Sequence, residues 1–360
     1  MATLRERQGR GMPASPDPFS CELFFAATHG DGARETVALR RAERRGELTR
    51  VHQGTYARTD DLDVLDDRGR HVVLARAVTL GLSGGCVLSH RSAALVHDLP
   101  RVARPVPDVV TVLDPRRTTT TRSTHLLRRP GEVPAAEVGC VRGLVVTGLV
   151  RTALDIARTV SWADAVLALD ATLRRLVLAD RHDAGPDIGS RLDEVRATLL
   201  ERVGDGSRPG DRTARRAVLF ASPWAENGGE SLLRLGLFDL GVSGVELQRS
   251  IWSGGRFVGR CDAFLPEWGV AVEFDGHVKL TDQRMLAGRS PADVVRDRVR
   301  RDRRLLESDE VAHVVHCEYA DVVEPRGLAE LLRGAGVALD PRRVAAASRA
   351  AARRFTGVPR

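Results

Sequence analysis

The chain has 360 residues, 55 basic and 48 acidic side chains and a formal net charge of +7, enough length for two or three domains that each bury a core. A pI near 9.8 fits an acidic partner such as nucleic acid or an anionic surface, although +7 spread over this length decides nothing alone. No stretch approaches the ~20 uninterrupted apolar residues of a membrane span, and Met1 to Pro18 lacks the apolar core of a secretion signal. The expectation is a soluble, cytoplasmic protein with no membrane partner and no small-molecule cofactor.

Five scattered cysteines, Cys21, Cys86, Cys140, Cys261 and Cys317, form no CxxC pair, so free thiols are expected rather than a zinc or redox site. Lysine occurs once, at Lys279. The Arg bias reads as genomic, and a surviving lysine, a compact point charge with a movable pKa, attracts notice.

Residues 1–18, rich in Arg, Gly and Pro, read as a disordered lead-in. Ala33 to Gly46 reads as a charged helix stopped by glycine, and ELTRVHQGTYAR as two short strands around Gln53-Gly54. A helix followed by a basic hairpin is the end of a winged helix, so residues 19–60 are predicted to be a winged helix-turn-helix module. In such a module Arg40, Arg41, Arg44 and Arg45 on the helix and Arg50, His52 and Gln53 on the hairpin would meet DNA. A charged, solvated face is the competing reading.

Residues 61–202 alternate apolar helices with strand-like VPDVVTVLD and a helical stretch from Thr147 to Leu178, an α/β middle domain with no repeat and no catalytic constellation. His90 and His97 lack the i, i+4 spacing of two ligands on one helical face and read as core or capping residues, while His313 and His316 fall on opposite faces of a strand and read as structural. Residues 203–222, polar and glycine-containing at their start, read as a linker. Residues 223–335 then run helix, three strands, an arginine-laden helix, strand, helix, the order of a mixed sheet flanked by helices. Residues 336–360 are a basic tail expected to fray. The fold class expected is a multidomain α+β or α/β chain.

The most informative segment joins Asp262 to Val270-Ala271-Val272-Glu273-Phe274-Asp275-Gly276-His277-Val278-Lys279. A hairpin turning at Pro266 to Gly269 brings Asp262 near Glu273, and the two-residue period of a strand sets Glu273 and Asp275 on one face. Converging carboxylates suit Mg²⁺ or Mn²⁺, which prefer hard oxygen ligands. Lys279 would add positive charge toward a phosphate, and Glu230 on the preceding helix a further acid. The competing reading is a solvated strand edge.

With Arg298-Val299-Arg300-Arg301-Asp302 downstream, these residues resemble the PD-(D/E)xK nuclease superfamily, in its very-short-patch-repair-like branch, over about residues 223–324. The resemblance implies a restriction-endonuclease-like fold, metal-binding roles for Asp262 and Glu273, a supporting role for Glu230, and site positions at Asp275, Lys279, Arg298, Arg301 and Asp302. The family's E-x-K would place lysine at 275, where this chain has Asp275; either Lys279 compensates or the site is altered.

LRRAERRGELTRVHQGTYAR, Ser89 to Ala94 and Val146 to Asp155 resemble AbiEi-type antitoxins of type IV toxin-antitoxin systems. That resemblance implies DNA binding and transcriptional repression. The expectation is a DNA-binding protein with a Mg²⁺-dependent endonuclease-like domain. The alternatives are a non-enzymatic repressor with a degenerate nuclease fold, or a domain that contacts a cognate toxin.

Overall fold

Three β-sheets and thirteen α-helices account for the described residues of the computed structural model, which are 17–26, 32–82, 84–102, 105–178, 187–275 and 291–355. The chain is a mixed α+β protein, and no helix among these residues is long and apolar enough to cross a membrane.

The first sheet takes β1 (Phe24–Phe25), then α1 (Gly32–Arg44), β2 (Leu48–His52) and β3 (Thr55–Arg58), ordered β1-β3-β2 with both pairings antiparallel. Gly54 makes the hairpin turn with a left-handed φ of 71°, a conformation that costs glycine little. After α2 (Thr59–Asp63), α3 (Asp67–Thr79) begins at Asp66, whose side chain accepts from Gly69 N at 2.7 Å. Burial of α3 ties two layers together: Val73 packs with Ala57 and Leu65 under the first sheet, and Val72 and Val78 pack against the second.

That second sheet contains β4 (Val87–Leu88), β5 (Val110–Asp114), β6 (Thr121–Arg122), β7 (Leu126–Pro130), β8 (Val138–Val141) and β9 (Leu144–Thr147), with α4 (His90–Val96) following β4. Its order is β6-β7-β5-β4-β9-β8, with both parallel and antiparallel neighbours. The sequence expectation of one helix from Thr147 to Leu178 is corrected to α5 (Leu149–Thr159) and α6 (Trp162–Val177). Ser161 restarts the helix by accepting from Asp164 N at 3.2 Å, a capping arrangement that S-x-x-D spells locally.

Two further helices follow, α7 (Ile188–Val203) and α8 (Asp211–Phe220). The second lies within the stretch expected as a linker, where Ala214, Ala217 and Val218 supply a buried stripe at helical spacing. The last region contains α9 (Gly228–Leu240), β10 (Glu246–Ser253), β11 (Arg256–Leu265), β12 (Val270–Asp275), α10 (Pro291–Leu305), β13 (His313–Glu318), α11 (Tyr319–Val323), α12 (Pro325–Gly334) and α13 (Pro341–Phe355). Its sheet runs β10-β11-β12-β13, antiparallel except for β12 and β13, which are parallel. The basic tail expected to fray is largely α13, with Val344, Ala347 and Ala351 buried.

Alternation along β12 divides the core. Val270 and Val272 pack with α9 and α12, whereas Ala271 faces Leu305 of α10. The α9 side reaches α6 through Leu167 and Ala163. Across that contact Arg234 Nη2 grips Asp170 at 2.7 and 2.9 Å, and Ser222 N donates to Asp170 Oδ1 at 2.8 Å. Asp170 is 1% exposed, so removing it strands the Arg234 charge. Asp170→Ala is predicted to destabilise the protein by about 3 kcal/mol or more. Denaturant unfolding should show a lower midpoint at unchanged slope; a midpoint equal to wild type would show that the pair contributes nothing net.

Candidate functional site

The ladder between β11 and β12 pairs Ala263 with Val272, Phe264 with Ala271 and Leu265 with Val270, and ends there. Where the next pair would form, the Asp262 carboxylate enters the gap and its Oδ2 accepts from Phe274 N at 2.8 Å. The β10 to β11 ladder keeps one register from Leu247–Ala263 to Arg249–Cys261 but is interrupted between them, where Gln248, opposite Asp262, has a left-handed φ of 51°. A non-glycine residue holds such a backbone only where its surroundings impose it. Here the strained backbone aims Gln248 Nε2 at Glu230 Oε2, 2.9 Å, and Asp262 Oδ1, 3.3 Å.

Glu230 arrives from the first turn of α9. Asn227 caps that helix, with its Oδ1 accepting from Gly229 N and Glu230 N at 2.9 and 3.1 Å. Gly229 lets the turn lie against the Phe274 ring, which a Cβ at that position would strike. Glu230 accepts from Glu226 N at 2.7 Å and from Asn227 Nδ2 at 2.6 Å. Glu273 lies on the other side of Asp262, facing α10, where Arg301 Nη2 donates to its Oε2 at 2.7 Å. Its Oε1 is buried with no hydrogen-bond partner.

Both glutamates are 5% exposed. Burial, followed among the raising causes by the Asp262 charge, lifts each carboxyl from its usual value near 4.5 to about 7, against the hydrogen bonds to Glu230 and the Arg301 charge beside Glu273. Cys261 and Cys317, also nearby, are no nucleophiles, since burial pushes both thiols up to about 12.

The sequence expectation that Asp262, Glu273 and Asp275 converge holds for the first two. Asp275 shares the α10 face with Glu273 but is held elsewhere, ion-paired to Arg298 and 3.1 Å from His316 Nδ1. His316 Nε2 lies 3.0 Å from Asp302 Oδ1, and Arg298 Nε lies 3.1 Å from His316 Nδ1. The imidazole therefore bridges two carboxylates beside the expected site. Sequence reasoning set His316 aside as structural, because only the parallel register, Glu273 opposite His316, brings it there. Lys279 lies outside the described residues.

A hard divalent cation fits the chemistry of this site: its donors are carboxylate oxygens, one of them orphaned, and two carboxyls are poised near neutrality. Among the described residues no three His, Cys, Asp or Glu side chains form a ready ligand group. Mg²⁺ does not require one, since it commonly keeps several waters and takes one or two carboxylates. Asp262 and Glu273 would be that pair.

At the other end of the chain, Arg40, Arg44, Arg50, His52 and Gln53 line one cleft of about 700 Å³ between α1, the β2–β3 hairpin and the end of α3. Arg41 is exposed on α1 but does not line it. Arg45 follows α1 and is bound to Glu47 through Nε and Nη2 at 2.7 and 2.9 Å. His52 also stacks edge-on with His125 at 5.8 Å, and burial lowers its pKa, aided by His125 and Arg50. The shift favours the neutral ring over a phosphate-binding cation.

Compared with protein-family models, curated proteins and solved structures, the chain matches none.

An acid whose pKa rises on folding keeps a proton that the unfolded chain releases. The contribution of Glu230 and Glu273 to stability therefore falls as pH rises from about 4.5 through about 7. In chelator, Glu230→Gln and Glu273→Gln should each lose less stability than wild type between pH 5 and pH 8, as read by urea unfolding. Parallel losses in all three proteins would contradict the raised carboxyls.

Proposed function

We propose that the protein binds DNA through α1 and the β2–β3 hairpin, used as a winged helix, and hydrolyses DNA phosphodiesters at a cation site on Asp262 and Glu273. The observation that carries the catalytic half is the buried Glu273 oxygen without a partner, beside Asp262, in a carboxyl that burial raises to about 7, as it does that of Glu230. A cation would replace the protons on these acids and supply the missing contact. This reading agrees with the resemblance of residues 223–324 to PD-(D/E)xK nucleases and of the earlier regions to AbiEi-type antitoxins.

When bound, Mg²⁺ or Mn²⁺ would activate water and offset charge on the phosphate. Asp262 and Glu273 would hold the ion, and Gln248 fixes Asp262 against Glu230. Arg301 now occupies Glu273 Oε2; its guanidinium, with that of Arg298, supplies the positive charge that orients a DNA phosphate. His316 lies between Asp275 and Asp302 and links them to this end of α10. In this reading the positively charged end of α10 does what the absent lysine at 275 does elsewhere in the superfamily.

One observation favours the second reading, a repressor with a degenerate nuclease fold. Asp275 is ion-paired to Arg298, and Arg301 is ion-paired to Glu273.

The test is cleavage of supercoiled and single-stranded DNA with Mg²⁺ or Mn²⁺. Asp262→Ala is expected to lower the rate at least ~100-fold while leaving DNA affinity intact. Tight binding without cleavage of any substrate by wild type would favour the repressor. For the binding half, Arg40→Ala and Arg44→Ala should each weaken affinity and reduce the slope of log K against log salt by ~0.9. Unchanged slopes would remove α1 from the interface.

A further inference from the structure

A second cavity, of about 620 Å³, opens in the middle of the chain between α4, strands β5 and β7, and the α5–α6 pair. Its volume is that of a small-molecule site. Leu95, Leu99, Leu127, Ile156, Val160 and Ala168 make an apolar wall. Arg122 and Arg129 bring positive charge to the lining, in which Asp164 is the one carboxylate. Asp164 is already engaged, with Oδ1 accepting from Val102 N at 2.9 Å and Oδ2 from Ser161 Oγ at 2.7 Å.

Two adjacent arginines on β7 show what is missing. Arg128, on one face, donates to Asp114 Oδ2 at 2.8 Å. Arg129, on the opposite face, lines the cavity, and its Nε is buried without a partner. A buried guanidinium donor with no acceptor costs free energy that an anion in the cavity would recover. His90, at the start of α4, shares the lining and has a left-handed φ of 51°, a strained backbone of the sort that accompanies ligand sites. Burial, with Arg129 next among the causes, lowers its pKa to about 3, so the ring stays neutral and leaves the positive charge to the arginines.

We infer that this cavity binds a small organic anion with an apolar body, its headgroup on Arg129 and Arg122 and its body against the wall of Leu95, Leu99 and Ile156. The site is separate from the N-terminal cleft and from the Asp262 region, and it stands whether or not the protein cleaves DNA.

The full-length chain would be titrated with 8-anilinonaphthalene-1-sulfonate, an apolar anion, and the bound dye displaced with decanoate or with decanol. Saturable dye binding is expected, displaced by decanoate and not by decanol at equal concentration. Arg129→Gln should weaken decanoate about tenfold, the loss of one charge-assisted contact, with a cooperative thermal melt in the absence of ligand no lower than that of wild type. Should Arg129→Gln fail to fold, Arg122→Gln decides, because Arg122 is exposed on the short β6 strand and is expected to weaken decanoate in the same sense. Equal displacement by decanol, non-saturable dye binding, or wild-type decanoate affinity in the folded variants would each overturn the assignment.

Discussion

A carboxylate buried in the middle of a sheet is among the more expensive groups a fold can contain, and Glu273 is such a group. It sits on β12 between β11 and β13, 5% exposed, with one oxygen on Arg301 and the other on nothing. Its neighbours answer that demand. The β11–β12 ladder ends at Asp262, Gln248 takes a left-handed backbone to tie Asp262 to Glu230, and Arg301 of α10 meets Glu273. Gly229 brings α9 against Phe274, which places Glu230 at the same gap.

The rest of the molecule is built to keep that region fixed. The helical layer of α5 to α8 shares apolar core and the Asp170–Arg234 pair with α9, so the element that carries Glu230 is anchored from behind. In turn α4 contacts that layer through Ala94 and Leu99, which pack with Ile156 and Ala168. The middle cavity lies in this seam. An anion held there would touch both the sheet that packs on α3 and the helices that support α9.

Much of this architecture was legible from local pattern. The turn at Gly54, the β11–β12 hairpin and the proximity of Asp262 to Glu273 follow from residues close in sequence. What was not legible depends on distant pairing or on small side chains. His316 meets Asp275 only because β13 lies parallel to β12, and no local spacing announces that choice. The stripe of Ala214, Ala217 and Val218 in α8 is too small to outweigh its polar surroundings, so composition there reads as linker. Alternation put Asp275 correctly on the face of Glu273 but could not show that Arg298 would hold it. Nor could the sequence show that Arg45 would be bound to Glu47 beside the cleft that Arg40 and Arg44 line.

Calorimetric titration with Mn²⁺ slightly below pH 7, repeated in two buffers of different ionisation enthalpy, tests the central claim most directly. If Asp262 and Glu273 hold a cation where burial has raised the Glu273 carboxyl to about 7, binding must release protons. The observed heat should then depend on the buffer, and that dependence should fade in Glu273→Gln. No binding, or binding whose heat is the same in both buffers, would contradict the account.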